Sequence, residues 1–151
     1  MVRSISEIIE KACELKTKEE KINWLRQNNS VPLRNILICI YDKSKIEFLL
    51  PKSEPPYTPS TAHESHGALL REARKLKYFI KGMGNDNMKQ MAREKVFIEL
   101  LETVDKKDAE LLVYMLKQKP FKGLTVKTIN DAFGPIISVE GKDDGEEELE
   151  S

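Results

Sequence analysis

The chain has 151 residues, 40% hydrophobic and 33% charged, with 25 basic and 25 acidic residues and a formal net charge of zero. That length suits one domain with a real core, and no run of about eighteen apolar residues is present to span a membrane. The start MVRSISEIIEK is polar and amphipathic rather than a secretory signal, and Cys13 and Cys39 read as buried reduced thiols, so a cytoplasmic setting is expected.

Ser4-Ile5-Ser6-Glu7 opens the first helix as a capping box, in which the serine accepts a backbone N–H and the glutamate reaches back. Ile5, Ile8, Ile9 and Ala12 then recur on one face. Thr17 to Glu20 repeats the box ahead of Ile22 and Leu25. Asn28-Asn29-Ser30 stops that helix and caps a third, with Pro32 tolerated in its first turn and Leu33, Ile36, Leu37 and Ile40 as its buried stripe. Trp24 reads as packing. Ile46 to Leu50 is apolar but too short for periodicity to separate a strand fragment from a helical turn.

Residues 51–67 hold four of the seven prolines and form an irregular central loop. His63 and His66 make an HxxH there, which without a third ligand is no zinc site; neither a metal nor another cofactor is expected. Helix resumes from about Ala68 to Lys81, from Met88 to Val104 and from Asp105 to Leu116, with the methionines as core filler. A last short helix starts at Thr125, carries Val126, Ile129 and Phe133, and ends at Gly134-Pro135. The expected class is all-α, a compact array of about six helices over residues 1–138.

The zero net charge hides an asymmetry. Residues 139–151 hold seven acidic residues and one basic, leaving 24 basic and 18 acidic in the remainder. The acidic tail lacks the apolar residues to fold and is expected to be disordered, tuning binding to a basic surface or recruiting a partner. Two basic clusters stand out in the body. Between residues 71 and 95 lie Arg71, Arg74, Lys75, Lys77, Lys81, Lys89, Arg93 and Lys95, against Glu72, Asp86 and Glu94. Arg71, Arg74 or Lys75, and Lys81 are expected to share one side of a helix. Lys117, Lys119, Lys122 and Lys127 surround the start of the last helix, where Gly123 lets a backbone approach closely and N–H groups after Thr125 face a phosphate. No Gly-rich phosphate loop, HExxH, GxSxG or CxxC is present, so no catalysis is expected.

The stretches IIEKACELKTKEEKINWLRQNN, LRNILICIYD and IEFLLP, and later EKVFIELLETVDKKDAELLVYMLKQKPFKGLTVKTINDAFGPI, resemble the helical N-terminal domain of ATP-dependent DNA ligases of T-even-type phages. The resemblance spans about residues 5–137 and is thin in the 51–67 loop. Its most specific part is Gly123, the Thr125-started helix, Asn130, Phe133 and the Gly-Pro stop. The whole chain also resembles small uncharacterised proteins of myoviruses that infect marine bacteria. In the ligases this domain precedes the catalytic core and grips duplex DNA.

Two departures qualify the resemblance. Where the ligases carry an Arg-Asp pair before the glycine, this chain has Gln118 and Lys119. No adenylation domain is expected: Lys142-Asp143-Asp144-Gly145 reads KxDG, but its acidic surroundings favour a protonated lysine, not a nucleophile. The resemblance and the charge pattern imply a non-catalytic, phage-type accessory protein that binds duplex DNA with low sequence specificity. Arg71, Arg74, Lys75, Lys77, Lys81, Lys89, Arg93, Lys119, Lys122, Gly123, Thr125 and Lys127 would contact the phosphate backbone, and a replication or host protein could join through the tail or the Pro-rich loop. The alternative is a protein–protein interaction module that targets a host or phage protein and does not bind DNA.

Overall fold

The computed structural model describes residues 3–61 and 65–138. His63, the acidic tail and the KxDG stretch lie outside the described residues. Among these residues the fold is all-α: α1 (Ile5–Glu14), α2 (Lys18–Gln27), α3 (Val31–Tyr41), α4 (Leu69–Glu72), α5 (Gln90–Thr103), α6 (Lys106–Met115) and α7 (Val126–Phe133), with a 3₁₀ helix, Ala73–Phe79, continuing α4.

The caps set the helix starts. Ser4 accepts the Glu7 N–H while Glu7 accepts the Ser4 N–H at 2.8 Å, and Thr17 and Glu20 make the same reciprocal pair. Ser30, Asp105 and Thr125 cap α3, α6 and α7, each accepting the N–H three residues on. The apolar faces meet behind these caps. Ile5, Ile8, Ile9 and Ala12 of α1 are buried together with Leu33, Ile36, Leu37 and Ile40 of α3 and Leu112 and Met115 of α6. α7 packs chiefly on α2, and α5 on α6. Trp24 is held as a packing residue, its Nε1 donating to the Ile8 carbonyl at 2.9 Å, with Arg3 and Lys11 over its ring.

Three expectations need correction. The helix expected over 68–81 is α-helical for only one turn. From Ala73 the backbone tightens to 3₁₀, and its three-residue turn stacks the buried residues Ala73, Leu76 and Phe79 on one face. Phe79 meets Phe97 of α5 edge-on, centroids 5.2 Å apart. The second correction concerns methionine. Met115 is fully buried, but Met91 is 84% exposed and Met83 52% exposed, so only part of the set fills the core. Third, α5 starts at Gln90 rather than Met88, with no side-chain cap. The open reading of Ile46–Leu50 resolves to an isolated antiparallel bridge between Phe48 and Ile80, with Leu49 N–H donating to Phe79 and Lys81 N–H to Glu47.

Candidate nucleic-acid interface

The 3₁₀ geometry reshapes the first basic cluster. With three residues per turn, Arg71, Arg74 and Lys77 fall in one row, and all three are exposed. Lys75 falls in the neighbouring row and is engaged by Glu72 at 2.8 Å. This contact holds the Glu72 carboxyl below its ordinary pKa. Lys81 lies past the helix end, 3.9 Å from Glu47, so the expected Arg71–Arg74–Lys81 side becomes Arg71–Arg74–Lys77. Lys89 and Lys95 are exposed on the following segment.

Arg93 is not on this surface. It is 3% exposed, and its guanidinium donates to the carbonyls of Tyr78, Asn85 and Asp86 and to the Gln90 side chain. The planar fork of guanidinium donors can reach several carbonyls at once, and Arg93 thereby gathers the end of the 3₁₀ helix and the 82–87 turn onto α5. Its expected phosphate contact is therefore corrected to a structural role.

At the second cluster, the glycine serves the fold first. Gly123 has φ +92°, and a β-carbon on it would stand 2.6 Å from the Cys13 carbonyl oxygen. The close backbone approach expected of this glycine is to the end of α1. Beside it Tyr41 is a buried clamp: its hydroxyl donates to the Leu124 carbonyl at 2.6 Å and accepts the Phe121 N–H at 2.9 Å. Burial pushes the Tyr41 phenol well above its usual pKa, so it keeps the proton it donates. Gln118, in the left-handed region at φ +51°, donates to the carbonyls of Cys39 and Ile46, both at 3.0 Å. Gln118 thus ties the end of α6 to α3 and to the turn that follows it.

A cleft of about 450 Å³ lies at the N-terminal end of α7, lined by Thr125, Val126, Lys122 and three lysines from α2 and its approach, Lys16, Lys18 and Lys21. Lys18 pairs with Asp131 at 2.6 Å, and Lys21 donates to the Gly123 carbonyl. Lys16 and Lys122 form no ion pair or side-chain hydrogen bond among the described residues. The Val126 and Lys127 N–H groups, at the first two positions of α7, likewise have no protein acceptor. Lys119 and Lys127 are exposed nearby in sequence but do not line the cleft. The helix dipole and the lysines together make this cleft favourable to an anion. Sequence reasoning missed Lys16, Lys18 and Lys21 because about a hundred residues separate them from Lys122.

A turn links the two basic regions. Exposed Lys43 and Lys45 lie in it, while the Ile46 carbonyl is bound by Gln118 and the Glu47 carbonyl by the Lys81 N–H. Asn130 is a backbone clamp: its side-chain amide pairs with both the N–H and the carbonyl of Ile137 at 3.0 Å. Asp42 accepts the Ser138 N–H at 2.8 Å. Burial opposes the Asp42 carboxylate, but the bonds from Ser138 and Ser44 together with Lys45 hold its pKa below the ordinary value. His66 lies between Glu7 and Asp105, at 3.7 and 3.5 Å, and no metal cluster of His, Cys, Asp or Glu occurs among the described residues. Nor is any described helix long and apolar enough to cross a membrane.

The chain belongs to DUF6433, a family of unknown function whose model matches residues 8–122. No curated protein and no solved structure matches it.

Proposed function

We propose that this protein is a non-catalytic, phage-type accessory protein that binds duplex DNA through its phosphates with low sequence specificity. The observation that carries the reading is the cleft at the N-terminal end of α7, where Lys16 and Lys122 are unengaged and the Val126 N–H lacks an acceptor among the described residues. A backbone phosphate would satisfy those donors, and each cation placed on the backbone releases condensed counterions. The exposed row Arg71–Arg74–Lys77 supplies a second set of phosphate contacts. Such contacts position a protein on DNA without reading its sequence. The resemblance to the DNA-gripping domain of phage ligases supports the same assignment, as does the excess of basic residues in the body of the chain. The acidic tail would compete with DNA for the basic surface or recruit a replication protein, in the cytoplasm of the host.

Fluorescence anisotropy with a labelled duplex tests this. Binding that weakens steeply between low and moderate salt, and strengthens when the seven tail acids are neutralised, is the expected result. Absence of binding at low salt by either protein would overturn the reading and turn attention to protein partners.

A further inference from the structure

The basic cleft continues past Lys122. Phe121 and Lys122 also line an adjoining hollow of about 490 Å³ between α1 and α6. There the character of the wall changes. Its floor carries Cys13 and the rings of Tyr114 and Phe121, stacked with centroids 4.9 Å apart at 19°. Its rim carries three carboxylates, Glu10, Glu14 and Glu110, with Lys107 among them. The Phe121 backbone is held by the bond from its N–H to the Tyr41 hydroxyl, and its ring lies 6.3 Å from the Tyr41 ring.

The two hollows share Phe121 and Lys122; beyond them, Lys16, Lys18, Lys21 and the Val126 N–H lie on one side, and Tyr114 with three carboxylates and Lys107 on the other. A nucleotide has the matching polarity. Its phosphate is an anion, and its base is a flat π system that stacks on aromatic rings. The amino groups of cytosine, adenine and guanine donate to carboxylates. Each hollow falls within the usual size range of small-molecule sites. A base inside an intact duplex cannot enter, since both its faces and its pairing edge are covered.

We propose that the paired hollows form a subsite for one unpaired nucleotide. Its phosphate lies between Lys16 and Lys122, its base lies against Tyr114 and Phe121, and amino-bearing bases are favoured over thymine. This rests on the DNA-binding reading and deepens it, from duplex backbone alone to duplex with an unpaired end.

The test compares three labelled duplexes in anisotropy: blunt, with a three-nucleotide dC overhang, and with an abasic overhang of equal length. The full chain should bind the dC overhang about tenfold more tightly than the other two, at the lower end of what one stacked base contributes. A dT overhang should recover only part of that gain. Tyr114→Leu should abolish the overhang preference and leave blunt-duplex affinity unchanged. Equal affinity for base-bearing and abasic overhangs would overturn the subsite while leaving duplex binding intact. If no duplex binds at all, titration with dCMP followed by NMR decides separately. Shifts at Phe121, Lys122 and Tyr114 would sustain the subsite without the duplex reading, and their absence would end both.

Discussion

The α-carbon of Gly123 lies so close to α1 that a β-carbon on it would stand 2.6 Å from the Cys13 carbonyl oxygen. The obstacle is backbone, which cannot swing aside, and the φ of +92° independently disfavours any side chain. Gly123→Ala should therefore destabilise the protein by about 2 kcal/mol or more, read from the urea midpoint at constant m-value. A change below 0.5 kcal/mol would show that the loop moves freely off α1.

Arg93 offers a contrast with the exposed bases. Arg93→Leu leaves the carbonyls of Tyr78, Asn85 and Asp86 without their donor and should cost about 2–4 kcal/mol in thermal or urea unfolding. Arg74→Gln, at an exposed position, should leave stability within about 0.5 kcal/mol.

Lys16 and Lys122 separate binding from folding. Converting each to glutamine should leave the melting temperature unchanged. The slope of log affinity for duplex DNA against log salt should fall by about one for each phosphate that is no longer neutralised. An unchanged slope in the double variant would place DNA elsewhere on the surface.

Asp108 predicts a pH dependence. It is fully buried, its Oδ1 accepts the Ser6 N–H at 2.9 Å, and its Oδ2 has no hydrogen-bond partner among the described residues. Burial pushes its carboxyl from 3.8 up to about 6; the Ser6 bonds and His66 oppose this and Asp105 adds to it. The folded state thus holds a proton that the unfolded state has already released between those values. Stability from this group is intact below pH 3.8 and declines as pH rises to about 6, by a total of about 3 kcal/mol. Asp108→Asn keeps an acceptor for Ser6 without a buried charge. It should be more stable than the native chain at pH 7.5, with the difference vanishing near pH 4. A constant difference across that range would show that Asp108 titrates normally.

Asn130 and Asp42 hold the last described segment from two sides. Asn130→Ala removes both bonds to Ile137. Amide exchange at Ile137 should accelerate well beyond that of Leu112 in the core, with a loss of about 1–3 kcal/mol in overall stability.

Much of the fold is legible in the order of residues. Ser4, Thr17, Ser30, Asp105 and Thr125 each signal a helix start, because a capping hydrogen bond spans three residues and is written locally. The stripes of α1 and α3 are equally clear, since one buried face imposes helical spacing. The 3₁₀ segment is less legible: a three-residue repeat of Ala73, Leu76 and Phe79 also fits an α-helical stripe over two turns, and the edge-on partner of Phe79 lies on another helix. The candidate site is legible only in halves. Lys122 and Thr125 can be read from the sequence, but their neighbours Lys16, Lys18 and Lys21 cannot.

The chain alone determined what depends on short separations: where helices begin, which faces are apolar, and that bases gather at 71–95 and 117–127. Tertiary structure decided what depends on partners distant in sequence. It buried Arg93 beneath three carbonyls, turned Gly123 toward Cys13, assigned Asn130 to Ile137 and brought the lysines of α2 beside α7. The physical reason is common to all four. A charge, an amide side chain or a glycine has the same local signature whether it meets solvent, a ligand or buried backbone, and only the folded chain selects among them.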